Sequence, residues 1–141
     1  IELFVASYQG RVAVLDNRTG RKLWQQNVSS VTGTHVGFGN VYVADVDGTL
    51  SAFLRTGQGV RWQNIELGYR QLSRPTPVSS YVATVDFDGY LHLLSQVDGQ
   101  IVGRTKIGGD AARADMIADS GRLIIFADNG QLLAYELETL D

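Results

Sequence analysis

The sequence contains no cysteine, which removes disulfides, thiolate metal sites and a cysteine nucleophile from consideration. That absence fits an oxidising compartment as well as a reducing one. Proline occurs only at Pro75 and Pro77. No run of five basic residues is present and the formal net charge is -3, so the electrostatic footprint of a nucleic-acid binder is missing. No stretch of about 20 apolar residues occurs, so no membrane-spanning helix is expected. The opening residues Ile1-Glu2-Leu3-Phe4-Val5 lack the basic start and long apolar core of a signal peptide. They open directly on a strand-like pattern, and the chain is therefore expected to be a fragment of a longer protein.

What is present is globular. The 141 residues are 44% hydrophobic and 19% charged, the length of one ordinary domain. Sixteen glycines argue against a helical fold, because glycine costs about 1 kcal/mol relative to alanine inside a helix.

An internal repeat decides the fold class. Gly10, Gly48, Gly89 and Gly130 are spaced 38, 41 and 41 residues apart, and are preceded by Gln9, Asp47, Asp88 and Asn129. Asp-Gly and Asn-Gly pairs suit a two-residue type I′ hairpin turn. Seven residues before each glycine an apolar run opens at Leu3, Val41, Val82 or Leu123. Two residues after it stand Val12, Leu50, Leu91 and Leu132. Hairpins are expected from Leu3–Ala6 to Arg11–Leu15, Val41–Ala44 to Thr49–Leu54, Val82–Val85 to Tyr90–Leu94, and Leu123–Ala127 to Gln131–Tyr135. Further strands are expected at Lys22–Val28, Val60–Leu67 and Ile101–Ile107, and short inner strands near Thr34–Gly37, Pro77–Ser79 and Asp115–Ala118. Four strands per unit of about 40 residues is the period of a β-propeller blade. The expected architecture is all-β: a partial propeller of four consecutive four-stranded antiparallel blades, with units at about 1–28, 34–67, 76–107 and 114–141. Runs apolar on both faces, such as Leu123-Ile124-Ile125-Phe126-Ala127, imply sheets stacked on sheets. A β-sandwich is the alternative, and the regular repeat argues against it.

The stretch from Val14 to Trp24, with Leu15, Asp16, Thr19 and Gly20 between, resembles the Ala-Leu-Asp-x-x-Thr-Gly-x-x-x-Trp signature of quinoprotein-type propeller blades. The second repeat keeps Ala52 and Trp62 but has Leu54 for the Asp and Gln58 for the Gly. The third keeps Gly99 but has Ser95 for the Asp and Gly103 for the Trp. Among these propellers the chain is most similar to the terminal blades of the BamB family of outer-membrane protein assembly factors, through Asp45-Val46-Asp47-Gly48-Thr49-Leu50, Thr76-Pro77-Val78 and Asp88-Gly89-Tyr90-Leu91. The resemblance implies an eight-bladed, non-catalytic lipoprotein scaffold on the periplasmic face of the outer membrane. It further implies docking to the POTRA domains of BamA, with unfolded outer-membrane proteins as a further partner.

Several residues invite a chemical reading. Trp24 and Trp62 each lie fourteen residues after an anchor glycine, and the resemblance assigns them to locking neighbouring blades, with Asp16 and Gly20 as the accompanying corner. Asp45-Val46-Asp47-Gly48 and Asp86-Phe87-Asp88-Gly89 look like the start of a calcium loop, but Thr56 and Val97 stand where a bidentate Glu is needed. No metal site is expected. His35 and His92 fall in different repeats, and no nucleophile elbow or phosphate-binding loop occurs. No cofactor and no catalytic residue are assigned. A blade segment of a quinone-dependent dehydrogenase, or a generic peptide-binding propeller, remain the alternatives. For a binding role the loops joining the blades, expected at 29–33, 68–74 and 108–113, matter most. The segment 68–74 is the richest, with Tyr69, Arg70, Gln71, Leu72 and Arg74, since Tyr and Arg are enriched at interface hot spots. A loop that touches only water is the plain alternative. Bare edges at both ends of the arc lead to a last expectation, that the isolated chain self-associates or needs the rest of its ring.

Overall fold

The computed structural model describes residues 2–7, 9–28, 31–57, 59–107, 111–112 and 115–137, with the side chains of residues 31 and 32 left aside. Its four hairpins are centred on the repeated glycines. Gly10, Gly48, Gly89 and Gly130 have φ angles of 93°, 82°, 83° and 91°, a region open to glycine at little steric cost. The N–H of each donates to the carbonyl three residues earlier, that of Ser7, Asp45, Asp86 or Ala127. The N–H groups of Asp45, Asp86 and Ala127 donate across the turn to the carbonyls of Thr49, Tyr90 and Gln131, and in the first hairpin Ser7 pairs with Arg11. The four loops therefore share one length, three residues.

That length corrects the expectation of two-residue type I′ turns. A type I′ turn needs positive φ at both central residues. Asp47, Asp88 and Asn129 do not adopt it. In the second and third repeats the carboxylate of the residue opening the turn takes over. Asp45 Oδ1 accepts from the N–H groups of Asp47 and Thr49 at 3.0 and 3.1 Å, and Asp86 Oδ1 from those of Asp88 and Tyr90 at 2.9 and 3.0 Å. Aspartate bonding its own backbone two residues on favours such a turn, closed here by a left-handed glycine.

Fourteen strands form four antiparallel sheets in chain order. The first holds β1 (Glu2–Ser7), β2 (Arg11–Asp16) and β3 (Lys22–Asn27). The second holds β4 (Val31–Gly37), β5 (Asn40–Asp45), β6 (Leu50–Leu54) and β7 (Val60–Asn64). The third holds β8 (Thr76–Val78), β9 (Tyr81–Val85), β10 (Tyr90–Ser95) and β11 (Ile101–Lys106). The last holds β12 (Ile117–Asp119), β13 (Arg122–Phe126) and β14 (Leu132–Glu136). The chain is thus an open arc of a β-propeller. Its middle blades have four strands and its end blades three among the described residues. Strand β4 starts at Val31, inside the segment expected to be a loop, and β7 stops at Asn64 where Leu67 was expected.

Three apolar cores fill the three junctions. Val12, Val41, Val43 and Phe53 join the first two blades. Tyr42, Leu50, Trp62, Val82 and Leu94 join the next two, and Val85, Leu91, Ile107, Leu123 and Ile125 the last two. Because successive residues of a strand face opposite sides, each middle blade contributes one residue set to the junction before it and the alternate set to the junction after it. This is why β5 is buried along its whole length.

The tryptophans lock two of these junctions. Trp24 Nε1 donates to the Arg55 carbonyl at 3.0 Å, and Trp62 Nε1 to the Gln96 carbonyl at 2.8 Å, both in the following blade. The two indoles pack directly against Gly57 and Gly99, where a Cβ would collide with them. The seat in the second repeat is therefore Gly57, one position before the Gln58 alignment, because its corner is one residue shorter: Gly57 N–H bonds Leu54, whereas Gly20 and Gly99 bond Asp16 and Ser95 four residues back. Asp16 organises its own corner rather than a junction. Its Oδ1 accepts from Arg18 and Thr19 N–H groups at 2.8 and 3.0 Å, and these bonds, that of Thr19 foremost, hold the carboxyl below its ordinary range. A Cβ on Gly20 would meet nothing within 4 Å, so this corner stands open.

Candidate docking face

Hairpin tips and inter-blade connections meet on one face of the arc. Tyr69 N–H donates to the Asp47 carbonyl at 2.9 Å, and Phe87 N–H to the Arg70 carbonyl at 2.9 Å. The segment 68–74 is thereby stitched between the tips of the second and third hairpins. Tyr69 and Gln71 hold left-handed φ angles of 60° and 52°, a conformation such residues take only when their surroundings impose it. Three apolar side chains stand out from this frame: Tyr69 at 81% exposure, Phe87 at 49% and Val46 at 47%. A cavity of about 560 Å³ opens beside them, bordered by Gln71, Arg74, Phe87, Ala112 and Asp115.

Of the five residues singled out in this segment, the structure leaves Tyr69 exposed and Gln71 mostly so. Leu72 is a correction. It is buried in the core between the second and third blades, so it cannot meet a partner without unfolding. Arg70 and Arg74 are held inside the chain. Arg70 Nη1 pairs with Asp86 Oδ2 at 3.1 Å. Arg74 Nη1 pairs with Asp115 Oδ2 at 3.0 Å, while its Nε donates to the Thr34 carbonyl. The loop expected at 29–33 is instead strand β4 from Val31 onward, and of the loop expected at 108–113 only Ala111 and Ala112 are described.

Beneath this face sits a polar network that sequence reasoning passed over. Asp86 and His92 are both fully buried, with His92 Nε2 2.7 Å from Asp86 Oδ2. Arg104 Nε donates to His92 Nδ1 at 3.0 Å. A guanidinium can only donate, so Nδ1 carries no proton, and the imidazole is neutral with its hydrogen on Nε2 pointing at the carboxylate. Burial, followed by the charges of Arg104 and Arg70, lowers the His92 pKa against the opposing pull of Asp86. For Asp86 burial works against ionisation, but the hydrogen bonds from His92, Tyr90 and Arg70 outweigh it and the pKa is lowered. Both side chains of this acid–base pair are closed off from solvent.

His35 lies apart from His92, on β4, with Nδ1 buried and unpartnered. Its pKa is lowered by burial and by Arg74, against Asp115. Among the described residues no three His, Asp or Glu side chains converge on a metal-sized site, and no helix is long and apolar enough to cross a membrane. Asp45 Oδ1 and Asp86 Oδ1 each accept from two backbone N–H groups of their turns, and Asp86 Oδ2 bonds His92 and Arg70. The exposed Val46 and Phe87 had a legible signal: each is an apolar residue in the middle of an Asp-x-Asp-Gly turn, where burial is not available.

A family model described as outer membrane protein assembly factor BamB matches residues 2–64. The BamB of Pseudomonas aeruginosa is 48% identical over 111 residues, covering 79% of this chain and 29% of that protein. That of Bordetella pertussis is 37% identical over 107 residues, 74% of this chain and 28% of the relative. The solved structure of BamB from Moraxella catarrhalis superposes with a TM-score of 0.84 at 29% identity, over 96% of this chain and 40% of that one. A computationally designed protein, Ika8, shares the fold with a TM-score of 0.83 at 16% identity, over 96% of this chain and 43% of its own. The chain spans under a third of the curated relatives' length.

Proposed function

Because the chain belongs to the family of the outer membrane protein assembly factor BamB, we propose that it acts as a non-catalytic scaffold section in the assembly of outer-membrane β-barrel proteins. Its task is to present the face built from Val46, Tyr69 and Phe87 to the periplasmic POTRA domains of BamA, at the periplasmic side of the outer membrane and within a lipid-anchored protein. The observation that carries this reading is the mounting of Tyr69. An aromatic ring at 81% exposure on a backbone tied to two hairpins offers large contact area with little conformational freedom left to lose. Interface hot spots are enriched in such residues. The non-catalytic part of the reading is supported by the burial of the Asp86–His92 pair, which keeps this acid–base geometry from solvent.

The test places Tyr69→Ala and Phe87→Ser in the full-length protein and measures binding to the purified periplasmic region of BamA by surface plasmon resonance. Each variant is expected to weaken the affinity about tenfold, about 1.4 kcal/mol, with the circular dichroism spectrum unchanged. Affinity unaltered in both variants assigns this face to solvent.

A further inference from the structure

A chain of polar side chains runs through the third blade, from its outer strand to the backbone that carries Tyr69. Arg104, exposed on β11, donates from Nε to Nδ1 of His92 at 3.0 Å. His92 Nε2 lies 2.7 Å from Asp86 Oδ2, and the same oxygen accepts from Arg70 Nη1 at 3.1 Å. The Arg70 carbonyl in turn accepts from the Phe87 N–H at 2.9 Å, beside Tyr69. The second hairpin is built alike on Asp45, but Ser51 stands three residues after its glycine, where the third has His92. The first and last repeats have Ala13 and Leu133 at that position. The histidine is therefore an addition to a turn that closes without one.

We propose that His92 is a positioning residue for Tyr69: the neutral ring holds Arg70 in place, and protonation of the ring releases it. Only the neutral form fits both neighbours, since Nδ1 accepts from a guanidinium while Nε2 donates to a carboxylate. A proton on Nδ1 sets two donors and two positive charges face to face, so Arg104 has to turn out to solvent. The imidazolium also becomes a second cation on Asp86 Oδ2 and repels the Arg70 guanidinium that shares this oxygen. Arg70 is the partner able to leave, its side chain being 36% exposed while those of Asp86 and His92 are at 0%. The titratable and charged groups around the ring are Asp86 after β9, Arg70 in the connection from the second blade, Arg104 on β11 and Tyr90 on β10. Lys106 of β11 lies over the Tyr90 ring. Burial, then the charges of Arg104 and Arg70, lower the His92 pKa against the pull of Asp86, so release belongs to pH values below the ordinary 6.5. The inference concerns how Tyr69 is mounted and does not depend on what docks there.

Hydrogen exchange of single amides tests it, followed by NMR from neutral pH down to the lowest pH at which circular dichroism still shows folded blades. After correction for the intrinsic pH dependence of exchange, protection of the Phe87 amide is expected to fall at least about tenfold as His92 takes up its proton. The Gly48 amide, closed on the Asp45 carbonyl at 3.0 Å in the hairpin without a histidine, should stay level. The imidazole nitrogen shifts of His92 should give the same midpoint. Arg104→Gln removes a charge that opposes protonation and should move that midpoint to higher pH. His92→Gln keeps a donor for Asp86 and does not titrate, so Phe87 protection should lose its pH dependence. His35→Gln, which alters the histidine beside Arg74 and Asp115, should leave the midpoint where it is. Should His92→Gln fail to fold, the shift in Arg104→Gln decides. Phe87 protection that stays flat while His92 titrates, or that follows His35, overturns the proposal. So does a midpoint unmoved in Arg104→Gln, an unchanged transition in His92→Gln, or a His92 that stays neutral until the blades unfold.

Discussion

Trp62 and Gly99 provide the sharpest test of how the blades are held together. Trp62 is 7% exposed, packs against Gly99 and donates to the Gln96 carbonyl at 2.8 Å. A buried aromatic of this size removes about 150–250 Å² from water, and truncation of such residues to alanine costs about 3–5 kcal/mol. The Gln96 carbonyl loses its partner as well, which adds about 1 kcal/mol or more. Trp62→Ala is therefore expected to cost about 4–5 kcal/mol, a third or more of the stability of an ordinary domain. Trp24 makes the same contact half-buried, with one blade fewer around it, and Trp24→Ala should cost about 2–3 kcal/mol.

Gly99 turns this into a coupling experiment. Its φ is +75°, so any side chain there is strained, and its Cβ would strike the indole of Trp62. Gly99→Ala in the parent meets both penalties, about 3 kcal/mol together, of which about 1–2 kcal/mol is the left-handed backbone. In the Trp62→Ala background the collision is gone and only the backbone penalty remains. The double variant should thus be less destabilised than the sum of the two by about 1–2 kcal/mol. Urea denaturation followed by circular dichroism, at one fixed chain concentration, supplies all four corners of the cycle. Strict additivity, or a Trp24→Ala variant that costs more than Trp62→Ala, refutes the idea that ring-on-glycine packing holds the junctions.

Other consequences are quickly stated. Both histidines have lowered pKa values in the folded chain, so the unfolded state binds more protons as the pH falls through the ordinary value of 6.5; stability should be complete well above that pH and fall as the pH drops through and below it, read from urea midpoints. Imidazole nitrogen spectra should show His92 as the Nε2–H tautomer, and an Nδ1–H form or an imidazolium near pH 6.5 would contradict the network described above. Arg70→Glu should lower stability, because it sets a second carboxylate beside the buried Asp86, whereas Tyr69→Ala should leave the urea midpoint nearly unchanged. Gly103→Trp should raise the melting temperature, since Gly103 opposes Leu93 as Trp24 opposes Val14 and Trp62 opposes Ala52, and a cavity of about 480 Å³ adjoins it.

The propeller was legible because a hairpin repeat fixes three things at once: a left-handed glycine, the strand register around it and the alternation of faces. A substitution inside a strand leaves that framework standing, which is why Gly103 in place of a tryptophan does not hide the third blade. Finer features followed local geometry that the letters do not carry. Asp-Gly suggested a two-residue turn, but the aspartate two positions earlier bonds the backbone and selects the three-residue form. Gly57 was missed as a tryptophan seat because its corner is one residue short, and a fixed alignment counts past it to Gln58. The Asp86–His92–Arg104 network joins residues six and twelve positions apart on paired strands, a proximity that exists only once β9, β10 and β11 are in register.

The segment 68–74 shows why composition alone overstated the candidate site. Tyr and Arg are frequent at interfaces, but an arginine is free to meet a partner only if nothing within its own chain uses it. Here Asp86 needs Arg70, since a carboxylate at 0% exposure requires compensation by opposite charge and hydrogen bonds. The same ion pair, with the bond between Phe87 and Arg70, fixes the backbone from which Tyr69 projects. Leu72 adds an apolar anchor in the core two residues further on. Anchoring residues and presenting residues thus alternate along one short connection, and the anchors limit how far Tyr69 can move. Substitutions at Arg70 or Leu72 would disturb any docking at this face through stability and through the position of Tyr69, so only Tyr69, Gln71 and the hairpin tips report on contact itself.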